Sequence, residues 1–484
     1  MKAILSKIGE PLVRHLSLIG KRSGFVTDIL DLSCLKPLLP EPQRRVYPCA
    51  MKSKLSKDSM GFFRELGILV ETRWRKKNYD DVVFPEIAAA ALAERSPAVR
   101  VDAWDIIRAL TAVHALPSQQ DIEGTFGDPP LTLFVANRFY IDIYFWLDGT
   151  THKHQHAFAG AFQVLLGSSI HSHYRFAVEK RINPHFSIGR LSLNDVELLS
   201  AGDIKRIIPG SDYIHSLFHL DRPSATITVR TVGLPDFQPQ FSYLPPGIAY
   251  DPFFKEPAQI KKRQIANLLL EMQHREAEAI IARMLSSSDL HTDFMILDQA
   301  YQNLHRSSLQ KSLGVTHNVE RFDKLFAAAR RKHGHLVDCF PHAFAEGDRV
   351  SELVRRRNYV HSAAHRFFFA LLLNVNGRQR ILDLVQRRFP EQSAVKTVVD
   401  WIEELASTRA YGSEEPNALG IENFGDEHLL VLEGLLNNQT LPRIQKEMRN
   451  VYKAMKLQEA NNQTRAIHDS LLKAPVFKPL LAYK

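Results

Sequence analysis

The chain has 484 residues, 45% hydrophobic and 24% charged, an ordinary globular composition with enough apolar material for buried cores and a length suggesting two to four domains. The net charge of +9 is thinly spread, and its densest run, Arg355-Arg356-Arg357, reads as a solvated helix face; this argues against a nucleic-acid partner and favours an acidic small molecule over a cationic one. Three cysteines, Cys34, Cys49 and Cys339, are odd in number and lack paired spacing, which argues against a disulfide framework and fits a reducing, cytoplasmic setting.

The first residues carry no signal-peptide pattern, and no apolar run is long enough to expect a membrane span. Residues 1–125 read as helical. Met60 to Val70, Pro85 to Arg95 and Val101 to Val113 combine helix formers with apolar spacing near 3.6. The stretch Cys34 to Cys49, with prolines at 37, 40, 42 and 48, reads as a loop or extended arm. No chemistry is legible in this part.

The texture changes after Pro117. Leu131 to Val135 and Phe139 to Leu147 are β-rich, and the second ends on the turn signal Asp148-Gly149. Further strands are expected at Gly160 to Leu166, Ser169 to Val178, Val196 to Leu199, Lys205 to Ile208, Tyr213 to Leu220 and Ala225 to Val232. Short strands at this spacing indicate an all-β sandwich or barrel. Proline-rich Leu234 to Pro257 closes the block.

From Ala258 the pattern is helical again, at Gln259 to Leu285, Arg366 to Arg388, Val395 to Ser407 and Glu427 to Leu436. The expected fold class is therefore α+β. Its domains are a helical region (1–125), a β barrel (126–256) and a second helical region (257–484). The apolar run Phe367 to Leu373 must pack on something, and covering the barrel or forming a homodimer are equally physical uses of it.

Histidines cluster between Gly149 and Arg230. His154 and His156, two apart on a strand, point to the same face and can share one ion. His215, on a later strand, supplies a third ligand if the sheet curls back into a barrel. Neutral imidazole suits iron, zinc, copper or nickel. His152 extends the alternation, but pairing it with His154 spoils the spacing to Gly167. His171 and His173 form a second pair, which either lines a cavity mouth or faces water. His361 and His365, at i and i+4 on one helical face, have the spacing of a metal pair but lack the metalloprotease glutamate and read as structural. Cys339, with His333, His335 and His342, reads as core and surface. A glycine-rich phosphate loop, a Gly-x-Ser-x-Gly elbow and a Cys-x-x-Cys pair are all missing, which removes the commonest nucleotide, esterase and redox readings.

The β block resembles the cupin superfamily. Gly149, His154, His156 and Gly167 match its first motif with one gap a residue short, and Gly160 falls at the acid position. Gly202, Pro209, Gly210 and His215 match the second, two residues longer than usual between Gly210 and His215, with His219 at the asparagine position. The likeness covers roughly a quarter of the chain. Retention of three histidines without the acid is similar to the thiol dioxygenases, including the cysteine, cysteamine and plant cysteine oxidases. That resemblance implies a jelly-roll barrel with Fe(II) on His154, His156 and His215, and oxygen and a small thiol or amino-acid-like molecule as substrates. Three imidazoles accept zinc or nickel as well. His219 is expected to bond substrate or bound oxygen. Those relatives are compact, whereas long helical regions flank the block here, which leaves open a ligand sensor, an interaction protein, or a cupin isomerase or epimerase.

Overall fold

The computed structural model describes residues 58–112, 116–120, 122, 127–147, 152–305, 317–409, 416–454 and 456–481. The Cys34 to Cys49 segment and the Asp148-Gly149 turn lie outside these residues. The strands, in chain order, are β1 (Pro130–Val135), β2 (Phe139–Trp146), β3 (Lys153–His154), β4 (Gly160–Leu166), β5 (Ser168–Asn183), β6 (Phe186–Ser200), β7 (Ile204–Ile207), β8 (Ile214–His219), β9 (Ser224–Thr231), β10 (Ser242–Leu244) and β11 (Ile248–Tyr250). They form a five-stranded sheet, in the order β1-β2-β9-β4-β7, and a closed six-stranded barrel, β10-β11-β6-β5-β8-β3.

The period of two along β2 and β9 explains why both are almost wholly buried. Phe139, Ile141, Ile143 and Phe145 of β2, with Ala225, Ile227 and Val229 of β9, face one way into a core shared with Phe63, Leu66, Trp74, Phe84 and Ile106. Those partners lie on the helices Ser59–Arg75, Phe84–Glu94 and Ala103–Ala112. The alternate residues, Tyr140, Tyr144 and Trp146 with Thr226, Thr228 and Arg230, face the opposite way and line an internal cavity. Full burial of each large side chain contributes roughly 1.5–3 kcal/mol, so the N-terminal helices complete a layer that the sheet cannot bury alone.

Two further cores close the other walls. Phe367 to Leu373, on the helix Ala363–Asn374, pack with Ile170 of β5 and Phe218 of β8. Phe186, Ile188 and Ile248 of the barrel pack with Leu270, Ile281, Leu297 and Phe340. The α+β class with helices flanking a barrel is thus the fold observed. The apolar run of Phe367 to Leu373 is buried inside the chain, against neighbouring helices and against Ile170 and Phe218 of the barrel.

Several boundaries differ from the sequence reading. β5 and β6 are 16 and 15 residues long, far beyond the expected Ser169 to Val178 and Val196 to Leu199. The outer part of β5, Ala177 to Arg181, is exposed, whereas the facing part of β6 buries Phe186 and Ile188 against the helices and keeps Leu191 and Leu193 half-buried. β10 and β11, three residues each, lie in the proline-rich segment read as a closing loop. The expected helix over Gln259 to Leu285 breaks into Pro257–Glu271 and Ala277–Ser287, and Arg366 to Arg388 breaks at Gly377, whose φ of 107° suits glycine alone.

The arginine run is also corrected. Arg356 and Arg357 are only 8% and 3% exposed, because buried carbonyls await them. Arg356 Nη1 donates to Ala418 O at 3.2 Å and Arg357 Nε to Arg366 O at 3.2 Å. The Arg357 guanidinium also lies 5.0 Å over the Phe218 ring. His361 and His365 do not share a helical face: the helix begins at Ala363, so His361 precedes it and is exposed, while buried His365 places Nε2 2.9 Å from Glu404. Among the described residues no helix is long and apolar enough to cross a membrane.

Candidate metal centre

The short strand β3 places His154 opposite His215 of β8 as its Cα partner. His156 lies just past the end of β3, where it forms an isolated parallel bridge with Pro209, and Gly210 N donates to His156 O at 2.8 Å. Both halves of the histidine pattern are therefore pinned by backbone contacts to one another. His154, His156 and His215 are 4%, 8% and 4% exposed, and their ligand nitrogens lie within 4.8 Å of one another, a group that can hold a metal ion.

Hydrogen bonds select the tautomers. His154 Nδ1 lies 2.7 Å from His152 O; a carbonyl only accepts, so Nδ1 carries the proton and Nε2 the lone pair. His152 itself is exposed and serves through its backbone. His156 Nε2 and His215 Nε2 are 2.8 Å apart, which requires one proton between two lone pairs. A cation of the right size could replace that proton. Burial pushes His154 down to about 4, and His156 and His215 well below the usual histidine range. All three are neutral at pH 7, the form in which imidazole binds metal.

Among the described residues no carboxylate joins the set. At Gly160, the acid position of the cupin motif, a Cβ would meet Val229 O at 2.3 Å, because β4 runs close against β9 there.

His171 is buried and His173 partly exposed, neither is among the residues lining the cavity, and with Glu197 they make a second group of metal-ligand type. His171 is fully buried. Its Nδ1 lies 3.1 Å from Glu197 Oε1, and its Nε2 lies 3.0 Å from His215 Nδ1 and 3.3 Å from the Tyr213 hydroxyl. The His171 hydrogen bond, aided by Lys205 Nζ at 2.7 Å, holds the Glu197 carboxyl at about 2. Glu197, Lys205 and Tyr213 were not found by sequence reasoning. Glu197 is the cross-strand partner of His171, a relationship visible only once the β5–β6 register is known.

His219 shares the strand face of His215 but is not among the residues lining the cavity. It stacks at 4.4 Å on Trp146, which does line it, and its Nδ1 meets Ser224 Oγ at 2.8 Å and Ser169 Oγ at 3.1 Å. In the helical region, burial raises the Cys339 thiol to about 11, while His333 pairs with Asp293 and His335 with Glu179. Among the described residues these make no metal group.

The cavity, about 520 Å³, runs from the three histidines past Phe158, Phe162, Leu217 and Tyr144 to Gln238, Gln240 and Phe253, the last 65% exposed. Arg230, missed in the sequence, projects into it, with its guanidinium 3.4 Å over the Phe158 ring and 5.1 Å over Tyr140. The chamber thus offers a site for a divalent cation, one fixed guanidinium and largely apolar walls.

No family model and no curated protein matches the chain. Among solved structures the chain is similar to the DMSP lyase DddQ from Ruegeria pomeroyi DSS-3, at 16% identity and a TM-score of 0.19, over 37% of this chain and 98% of that one. The closed barrel with three inward histidines is compatible with the cupin resemblance of the sequence.

Proposed function

We propose that the chain is a cupin-type metalloenzyme, an Fe(II)-dependent oxygenase of thiol-dioxygenase character that acts on a small anionic molecule with a thiol or amino-acid-like skeleton. The observation that carries this reading is the meeting of three neutral, buried imidazoles with the Arg230 guanidinium in one cavity. His154, His156 and His215 would hold the ion, and an all-imidazole shell leaves Fe(II) cationic and able to take an anionic group beside oxygen.

The remaining residues bind and orient. Arg230 would hold the substrate carboxylate by charge-assisted hydrogen bonds. Phe158, Phe162, Leu217 and Trp146 exclude water from the reacting end. His219, whose contact with the cavity runs through Trp146, would position that indole, and any effect on substrate or oxygen passes through it. The barrel and the described helices that precede and follow it would act as one working unit.

The test is oxygen uptake by the anaerobically purified chain reconstituted with Fe(II), against a panel of thiols and amino acids. Uptake with at least one panel member, lost in the His154→Ala, His156→Ala double variant, supports the oxygenase. Binding of panel members without uptake favours the ligand sensor, and uptake unaffected by the double variant rejects the site.

A further inference from the structure

The two histidine groups inside the barrel are joined by a single atom pair, and that joint fixes a tautomer. A carboxylate only accepts, so the 3.1 Å contact from His171 Nδ1 to Glu197 Oε1 puts the proton on Nδ1 and the lone pair on His171 Nε2. The one lone pair of His171 Nε2 then accepts from His215 Nδ1, 3.0 Å away, with the Tyr213 hydroxyl the longer, competing donor at 3.3 Å. With its proton on Nδ1, His215 presents the lone pair at Nε2. That is the nitrogen 2.8 Å from His156 Nε2, at the centre of the three-histidine group.

We propose, resting on the reading of His154, His156 and His215 as a metal site, that Glu197 and His171 are positioning residues that lock His215 in its Nδ1–H tautomer and aim its Nε2 at the ion. The chain crosses the barrel wall from β6 through β5 to β8, strands that are directly paired, so each imidazole is held by both a ladder and a hydrogen bond. Outer partners of this kind fix the orientation of ligand histidines and raise their basicity.

The same geometry decides what His171, His173 and Glu197 are for. An ion on that group would take His171 Nδ1 and drive the proton to Nε2, making Nε2 a donor towards His215 Nδ1. His215 would then carry its proton on Nε2, the ligand nitrogen of the first site. The two sites demand opposite tautomers of His171, so filling the first excludes an ion from the second. Lys205 Nζ, 2.7 Å from Glu197 Oε2, already neutralises the carboxylate and favours the relay.

The experiment uses the full chain and Co(II) alone as probe, with affinity read from the visible absorption of bound cobalt against a competing chelator. In parallel, nitrogen-15 spectra of histidine-labelled, metal-free protein report the His215 tautomer. The variants are His171→Gln, Glu197→Gln and His173→Ala. The relay predicts a Co(II) Kd raised about 10- to 100-fold in the first two and changed less than about two-fold in His173→Ala. It also predicts a His215 Nδ1–H signal in the wild type that gives way to a mixed tautomer in His171→Gln. Glu197→Gln, isosteric and partly exposed, keeps the test intact if His171→Gln does not fold.

Unchanged affinity in both relay variants overturns the proposal, as does a loss in His173→Ala equal to that in His171→Gln, which would put the ion on the second group. If the wild type takes up no Co(II), the metal reading fails separately. The tautomer spectra still judge the relay in that case: Nδ1–H in the wild type and its loss in His171→Gln support it, and Nε2–H in the wild type overturns it.

Discussion

His154 and His215 are Cα partners across the β3–β8 ladder, and their imidazole centroids are 4.8 Å apart. A backbone register therefore sets the distance between two of the three ligand candidates, with little left to side-chain freedom. Disturbing the register should cost the site before it costs the fold.

Acid should expose the cost of burying these rings. Burial holds His154 at about 4 and His219 at about 3, against the usual 6.5. Between those values the unfolded chain binds more protons than the folded one, so stability is fully present above pH 6.5 and is lost as pH falls through 4. For His154 alone the loss approaches something on the order of 3 kcal/mol. The urea midpoint of the metal-free protein is expected to be flat from pH 8 to 7 and to fall between 6.5 and 4, less steeply in His154→Gln. Equal slopes in the two proteins would contradict this.

Gly160→Glu places at that position the glutamate of the motif the sequence resembles, yet it should not supply a ligand. Its Cβ would lie 2.3 Å from Val229 O, and strand separation of that kind costs about 1–3 kcal/mol. Urea unfolding is expected to show destabilisation, and metal uptake is expected to be no tighter than in the wild type.

Arg230→Met keeps the apolar contact with Phe158 but removes the charge. For a carboxylate substrate, KM should rise about 10- to 100-fold, the equivalent of one charge-assisted hydrogen bond, with a smaller change in kcat. For the corresponding amide the variant and the wild type should differ little. Steady-state kinetics on an acid and amide pair drawn from the thiol panel would check this.

Residues 126–256 expressed alone should be insoluble or inactive. Ile141, Ile143, Ile227 and Val229 lose their helical cover, and Ile170 and Phe218 lose theirs on another wall. Exposed patches of this extent drive association. A soluble, metal-loaded fragment with full activity would show that the helices are dispensable.

What the sequence made legible follows from where periodicity is strong. β4 falls within the expected bounds, and β2 and β9 fall close to theirs, because one face of each is apolar and the other lines the cavity. The outer part of the β5 and β6 hairpin was missed because Glu179, Lys180 and Arg181 are exposed and charged on β5, while Gly189, Arg190, Asn194 and Asp195 interrupt the apolar residues Phe186, Ile188, Leu191 and Leu193 on β6. The pairing of His154 with His156 was anticipated from strand spacing, although His156 falls just past the end of β3, and His215 was anticipated only through the expected barrel and the cupin-like second motif. Arg230, Glu197 and Lys205 could not be anticipated, because each joins the site through the register or face of a different strand. Arg356 and Arg357 misled for a related reason: burial of a charge depends on acceptors, such as Ala418 O, from elsewhere in the chain.

The proposed function requires the three buried histidines to hold a metal ion. The most direct measurement is the metal content, by elemental mass spectrometry, of the full-length chain loaded with Fe(II) anaerobically and desalted, beside the His154→Ala, His156→Ala double variant treated identically. About one tightly held ion per wild-type chain and a near-complete loss in the variant are expected, since one remaining imidazole binds a divalent ion weakly. Equal metal in the two proteins, or none in the wild type, would contradict the proposed function.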